Sequence, residues 1–429
     1  MDLDQLAALR TPEGGTALAT AADLAGGDPL VAAATLRSAG ISGGLAAAAL
    51  TQAELRRRAA AKFGPDAARM FFTRAGLEQA TRPGVAARRA ARLRAAGVRT
   101  LVDLGCGLGA DAIAAARAGI RVYGVETDPL TAAMAAANAG AAGVADRFTV
   151  ELGDAARFDV TAVDGRPVDA VFCDPARRRP GTGRRVFDPA AYSPSWDFLL
   201  DLAGRIPRTV FKVAPGIDHA LLPPGAEGEW VSVGGDLVEA TVWSAPLAGT
   251  PRRATLLTGS AAHGADVRTG ARPGEPGGPT RHGPTDPAVH ELTGDGTRQA
   301  PIGPVRRYLY DPDPAVVRAH LVAEFADTVD GTLADPEIAY VYADAAAPTP
   351  YARCLEVVES LPFSLKRLRA RLRELGVGRA EILKRGSALE PERLRRDLRL
   401  TGTEPISLVL TRVAGAPTAL LCHPPRDGL

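Results

Sequence analysis

The run Val102-Asp103-Leu104-Gly105-Cys106-Gly107-Leu108-Gly109-Ala110-Asp111 joins an apolar stretch to an alanine-rich one through three alternating glycines. Glycine lets the chain turn sharply and lets a ligand approach the backbone without meeting a Cβ, which is how a strand-to-helix turn makes room for a nucleotide. The third glycine comes one residue earlier than in the dinucleotide pattern G-x-G-x-x-G, and a carboxylate, Asp103, stands two residues before the first. That carboxylate repels a pyrophosphate and attracts an amino group. The run suits a nucleotide-like ligand that carries an amino group. Asp111 adds a second acid just past the loop, at a position that equally suits the positive end of a helix.

Three later runs carry further chemistry. Val125-Glu126-Thr127-Asp128-Pro129 places an acid 21 positions after Gly105, and Gly153-Asp154-Ala155 places another after a short apolar stretch. Phe172-Cys173-Asp174-Pro175-Ala176-Arg177 offers a carboxylate, Asp174, as hydrogen-bond acceptor or base. Arg177, Arg178, Arg179, Arg184 and Arg185 fall within nine residues there. Guanidiniums gathered beside a reactive carboxylate attract phosphate, and Lys212 extends the set. Phe172, Phe187, Tyr192 and Trp196 could supply a stacking surface, although Phe172 reads as core.

Strand and helix patterns alternate from about residue 97, and this alternation must position those runs. Val98–Leu104, Ile120–Val125, Phe148–Leu152, Val168–Cys173 and Thr209–Val213 read as strands, with helices over Ala110–Ala118 and Pro129–Ala139. Such alternation implies a parallel sheet covered on both faces. Trp230–Val233 and Val238–Trp243, joined by Gly234-Gly235-Asp236, read as a closing antiparallel hairpin. Residues 1–90 read as a helical region broken at Gly26-Gly27-Asp28-Pro29 and Gly64-Pro65-Asp66; it either lines the substrate cleft or only packs on the sheet. The α/β unit therefore spans 91–258. Residues 259–303 are rich in glycine and proline and read as a flexible linker or surface loop. Residues 304–429 read as a small α+β domain: a strand over Pro304–Tyr310, a helix through Phe325, then helix, strand, helix, strand, strand.

At 429 residues with 46% hydrophobic content the chain supports two or three domains with real cores. A net charge of +2 excludes a polycation, so any nucleic-acid affinity must come from local patches. One such patch is evident: residues 361–399 hold twelve Lys/Arg, among them Lys366, Arg369, Arg373, Lys384 and Arg385, against five acids. The four cysteines lack C-x-x-C spacing, which argues against a zinc site and a disulfide framework, and no metal is expected. No basic n-region, leader-like apolar stretch or membrane-spanning run is seen, so a soluble cytoplasmic protein without membrane association is expected.

The glycine run resembles motif I of class I S-adenosylmethionine-dependent methyltransferases. That resemblance implies a Rossmann-like methyltransferase sheet over 91–258, S-adenosylmethionine as cofactor, and roles for four elements. The loop with Asp103, Gly105, Gly107, Gly109 and Asp111 would hold the cofactor, Glu126 its ribose hydroxyls and Asp154 its adenine amino group. Asp174, Pro175 and Arg177 would meet the methyl acceptor. Base-directed amino methyltransferases carry Asp/Asn-Pro-Pro-aromatic at this point, whereas here alanine and arginine replace the second proline and the aromatic. An Asp-Pro-Pro-Arg variant occurs in enzymes that methylate uracil C5, but those need a cysteine after the fifth strand, where this chain has Phe211-Lys212-Val213-Ala214-Pro215-Gly216. Direct transfer to nitrogen or oxygen is left.

The segments Leu361-Pro362-Phe363-Ser364-Leu365-Lys366-Arg367-Leu368, Glu381-Ile382-Leu383-Lys384-Arg385-Gly386 and Leu408-Val409-Leu410-Thr411-Arg412-Val413, with Tyr308-Leu309-Tyr310-Asp311-Pro312-Asp313-Pro314 upstream, resemble the THUMP-like domain. This domain closes a bacterial family of class I methyltransferases that shares the Asp-Pro-Ala-Arg-Arg and Lys-Val-Ala-Pro-Gly runs. THUMP domains bind RNA, so the resemblance implies methylation of a base in structured RNA, tRNA or rRNA, with Arg178, Arg179, Arg184, Arg185 and Lys212 beside the site and the basic C-terminal residues as the RNA contact. The alternative is a small-molecule or protein methyltransferase whose basic domain serves assembly.

Overall fold

The computed structural model describes residues 1–177, 192–259 and 288–425. The chain divides into two compact units. The first contains Met1–Glu227 and Ala240–Gly249; the second contains Gly228–Glu239, Thr250–Thr258 and Val289–Leu429.

The first unit opens with helices α1 (Leu3–Leu9), α2 (Pro12–Asp23), α3 (Pro29–Ser38), α4 (Gly43–Phe63), α5 (Arg74–Gln79) and α6 (Pro83–Ala95). Their starts follow local chemistry. The side chains of Asp2, Thr11, Asp28, Ser42 and Thr73 each accept a backbone N–H of the first turn, and proline occupies the first turn of α2, α3 and α6. Alanine and leucine from α1 to α5 form one core that also takes in Leu108, Met134 and Ala137. The helical region is thus packed onto the elements that follow.

Those elements are β1 (Thr100–Leu104), α7 (Ala110–Arg117), β2 (Arg121–Glu126), α8 (Pro129–Ala141), β3 (Phe148–Leu152), β4 (Ala170–Cys173), α9 (Trp196–Arg205) and β5 (Thr209–Val213). β1 pairs in parallel with β2 and β4, β2 with β3, and β4 with β5, giving the strand order β5-β4-β1-β2-β3. β6 (Glu227–Val233) and β7 (Asp236–Trp243) follow, and Ala240–Trp243 runs antiparallel to Val210–Val213 of β5. A parallel sheet fed by helices brings the C-terminal ends of its strands to one edge, where ligands of such sheets bind. Asp103, Glu126, Asp174 and Lys212 all lie at or near those ends.

The second unit has a seven-stranded sheet built from Tyr308–Pro312, Thr332–Leu333, Val341–Ala343, Ala352–Pro362, Val377–Lys384, Glu404–Val413 and Ala416–His423. Helices Leu365–Glu374 and Pro391–Leu398 close its main core through Leu368, Leu372, Leu394 and Leu398. Several strands depart from the sequence reading, the short Thr332–Leu333 and Val341–Ala343 among them, and three longer ones show why. Ala352–Pro362 escapes it because only Leu355 along the strand is buried and a bulge between Val357 and Glu359 breaks the alternation. Ala288–Gly294 lies within the stretch read as linker or loop; its exposed and half-buried residues alternate with no apolar face. Arg252–Thr258 pairs in parallel with Gly228–Val233. Residues 260–287 lie outside the described residues.

Candidate active site

The glycine loop leaves β1 and enters α7 with Gly105, Gly107 and Gly109 at φ of +81°, +55° and +85°. A Cβ on Gly105 would stand 3.2 Å from the Asp174 carbonyl oxygen, so only glycine allows this left-handed turn to lie against the Asp174 backbone. The N–H groups of Gly105 and Cys106 donate to the Val125 carbonyl at 2.9 and 3.1 Å. At the end of β2 the Glu126 carboxylate accepts from the N–H groups of Gly107 (3.1 Å) and Asp128 (2.9 Å). Asp154 is exposed after β3 and accepts from the Ala156 N–H at 2.9 Å.

Asp103, on β1, is 1% exposed, and its Oδ1 has no hydrogen-bond partner. Burial first, then the Asp111 and Asp174 carboxylates, push its carboxyl well above the usual carboxylate range; Arg89 and Lys212 oppose this. A buried polar atom without a partner is costly, and such atoms are concentrated where a ligand supplies the missing bond.

The parallel pairing of Cys173 with Phe211 places Asp174 and Lys212 side by side. Lys212 Nζ donates to Asp174 Oδ2 at 2.7 Å and to Thr81 Oγ1 at 3.2 Å. Thr81 Oγ1 in turn donates to Asp111 Oδ2 at 2.6 Å, and Arg89 pairs with the other oxygen of Asp111. The Arg89 guanidinium also lies 4.5 Å from the Phe172 ring centroid. Two carboxylates, Asp111 and Asp174, and two cations, Arg89 and Lys212, are thus joined through Thr81 into one network, with Asp174 its more open acid at 34% exposure.

The segment from Met70 to Arg82, which carries Thr81, is pinned along its length. Gln52 of α4 accepts from the Phe72 N–H and donates to the Phe72 carbonyl. Asn138 of α8 does the same for Phe71 and also donates to the Leu108 carbonyl in the glycine loop. Both amides are fully buried. Gly76 faces the Leu108 side chain so closely that a Cβ would come within 2.7 Å of it. Lys62 Nζ donates to the Leu77 carbonyl at 2.8 Å, and burial, Lys212 and Arg82 bring its ammonium down to about 8.

The sequence-selected residues divide clearly. Asp103, Gly105, Gly107, Gly109, Glu126, Asp174 and Lys212 are gathered at one edge of the sheet. Asp111 is there too, but its oxygens are taken by Thr81 and Arg89. Lys212, expected to face phosphate, faces Asp174. Pro175 follows Asp174, and the Arg177 backbone pairs with Tyr192; Arg178, Arg179, Arg184, Arg185 and Phe187 lie outside the described residues. Phe172 is core at 2% exposure, Tyr192 is buried with its hydroxyl accepting from the Ala214 N–H, and Trp196 is half-buried against Phe211. In the second unit Lys366 and Arg373 are exposed. Lys384 donates to Glu390 and the Leu389 carbonyl, Arg369 to the Asp397 carbonyl, and Arg385 to Asp311 and the Pro312 carbonyl. Arg369 and Arg385, expected on the RNA contact, therefore bond within their own unit. Thr81, Arg89, Gln52 and Asn138 do not stand out in the sequence; the lone amide in alanine-rich α8 is the available signal for Asn138.

Cys106 and Cys173 are buried, and burial pushes both thiols well above their ordinary value. Neither presents a thiolate. No helix among the described residues is long and apolar enough to cross a membrane.

Comparison with known proteins gives three matching family models: a methyltransferase domain over residues 101–179, a THUMP domain-like region over 352–424, and a domain of unknown function (DUF8688) over 2–59. The chain is 37% identical over 387 residues to an uncharacterized S-adenosylmethionine-dependent methyltransferase of Mycobacterium tuberculosis, found in two strains, covering 87% of this chain and 95% of that protein. A solved structure from Porphyromonas gingivalis W83, provisionally named a methyltransferase, aligns over 90% of this chain and 92% of its own with a TM-score of 0.67 at 22% identity. It shares the fold.

Proposed function

Since the chain belongs to the S-adenosylmethionine-dependent methyltransferases, with a THUMP-like domain near its end, it is an enzyme that uses S-adenosylmethionine, and we propose that its acceptor is a base of structured RNA, tRNA or rRNA, in the cytoplasm. The observation that carries the RNA reading is the C-terminal unit itself. It matches a THUMP domain-like model over residues 352–424, which resembles domains that bind RNA, and Lys366, Arg367 and Arg373 on one helix and Arg393, Arg395 and Arg396 on the next are exposed. Clustered surface cations bind a phosphate backbone by releasing its counterions.

The residues at the sheet edge fit the cofactor. The partnerless Asp103 oxygen suits its ammonium, the open backbone at Gly107 leaves room beside the loop, and Glu126 and Asp154 offer carboxylates toward a ribose and an adenine amino group. When bound, the cofactor supplies an electrophilic methyl group on a positively charged sulfur. Asp174 then has two tasks: to accept a hydrogen bond from the acceptor's N–H or O–H, and to take the proton that leaves. Pro175 stiffens the turn behind it. The segment carrying Thr81 and the glycine loop would hold the cofactor's reacting end beside Asp174, and such positioning is most of what direct methyl transfer requires. The buried, unactivated thiols are consistent with direct transfer to nitrogen or oxygen. Arg177, Arg178, Arg179, Arg184 and Arg185 follow Asp174 in the chain and are assigned to the phosphates flanking the target base. That base must be single-stranded or flipped to reach Asp174.

The test is affinity for purified tRNA and rRNA between 50 and 200 mM salt. A protein making several phosphate contacts loses on the order of 10²-fold or more over that range. Weak, salt-independent binding contradicts an RNA acceptor and leaves a small molecule or protein in its place.

A further inference from the structure

Lys212 presents a charge problem that the assigned reaction does not explain. It is an ammonium, 13% exposed, bonded to the carboxylate assigned to the methyl-transfer point. The cofactor arrives there carrying positive charge on its sulfur and leaves with that sulfur neutral. A bare cation beside Asp174 would oppose the first form and not the second. Yet Lys212 is not bare. Asp174 takes one bond at 2.7 Å and Thr81 another at 3.2 Å, and Thr81 is itself tied to Asp111 at 2.6 Å.

We propose that Lys212 is a positioning residue whose ammonium is held and partly compensated by the Thr81 hydroxyl, so that the N-terminal helical region tunes the site toward the charged cofactor and away from its neutral product. Two observations support this. Thr81 lies on a segment fixed independently by Gln52, Asn138 and Lys62, so its hydroxyl is delivered rather than drawn in by Lys212. Lys212 is also only 13% exposed, so solvent screens its charge weakly. Arg89 and Asp111 neutralise one another beside it. The helices before residue 82 then have a task beyond packing: they carry the hydroxyl that holds this lysine. The inference rests on the assignment of Asp174 to the methyl-transfer point and not on the acceptor being RNA.

The test uses the full chain, no RNA, and two probes: S-adenosylmethionine and S-adenosylhomocysteine, whose affinities are measured by calorimetry at fixed ionic strength. Replacing Lys212 by methionine removes the cation and leaves Asp174 negative, so K212M raises the ratio of the first affinity to the second. Removing one nearby unit charge in a half-buried site is worth between about threefold and thirtyfold. T81V keeps the side-chain shape and takes the hydroxyl from both Lys212 and Asp111; Asp111 keeps its Arg89 partner, so the ammonium is the less compensated of the two and the same ratio falls by about threefold, and T81S restores it. A merely structural role weakens both probes in equal proportion. A ratio unchanged in both variants overturns the proposal, as does a fall in K212M or a rise in T81V. Should K212M fail to fold, the T81V and T81S pair decides the matter.

Discussion

Asp103 is the residue at which stability and binding are most directly opposed. Its folded carboxyl is raised by burial and by two neighbouring carboxylates. A raised carboxyl contributes stability that is fully present below the unfolded value near 4 and is lost as pH rises through the folded value. Asp103→Asn cannot ionise and removes that loss. We expect the cofactor-free D103N protein to melt a few degrees above wild type at pH 8, with the gap narrowing toward pH 5, while its affinity for S-adenosylmethionine falls by about tenfold or more. Thermal melts and calorimetry across that range check both. A lower melting temperature at every pH, with unchanged affinity, contradicts the assignment. Lys62 gives the opposite sign. Its ammonium is brought down to about 8, so the cost of burying it persists below that pH, and wild-type stability recovers as pH rises from about 8 toward the ordinary lysine value. In Lys62→Met that alkaline recovery is expected to vanish from denaturant titrations at pH 8 and 10.

At the scale of elements, the segment from Met70 to Arg82 links the N-terminal helices to the reacting groups. Gly76 faces the Leu108 side chain and the Thr73 hydroxyl with no room for a methyl group, so Gly76→Ala must displace one of them where this segment meets the glycine loop. Overpacking of this kind costs about 1–3 kcal/mol, and chemical denaturation should show it together with weakened cofactor binding. Loss of stability without any effect on binding would separate this segment from the site. This segment is also the part least legible in the sequence. Most strands and helices between residues 97 and 243 follow from apolar runs punctuated by glycine, and the structure places Thr100–Leu104, Phe148–Leu152 and Thr209–Val213 within two residues of those readings, whereas α9 (Trp196–Arg205) is absent from them. The acids at the strand ends are legible because an acid after an apolar run stands out. Thr81 and Arg89 are not: an ordinary threonine and one arginine among many acquire meaning only when the fold sets them against Asp111. Ala352–Pro362 is hidden for a different reason, because a bulged, half-exposed strand has no clean alternation.

At the scale of the whole molecule, composition is a poor guide and local charge a better one. The chain carries a net charge of only +2, yet its basic residues are unevenly placed. Of those singled out in the C-terminal unit, Arg385 and Arg369 bond to their own unit, whereas Lys366 and Arg373 are exposed. Neutralising Lys366, Arg373, Arg395 and Arg396 together should weaken RNA affinity and lower its salt dependence by about one unit of log–log slope for each phosphate that is no longer neutralised, leaving cofactor affinity unchanged. The same four changes would leave RNA binding intact if the unit serves only assembly. RNA methylation through Asp174 is tested most directly by transfer of tritium from methyl-labelled S-adenosylmethionine to RNA from a host lacking this gene, with Asp174→Ala alongside and ribonuclease as control. The expected result is ribonuclease-sensitive label in a tRNA or rRNA with wild type and a loss of about 10²-fold or more with D174A despite retained cofactor binding. Equal labelling by both proteins, or no label in RNA from a cofactor-binding wild type, would contradict it.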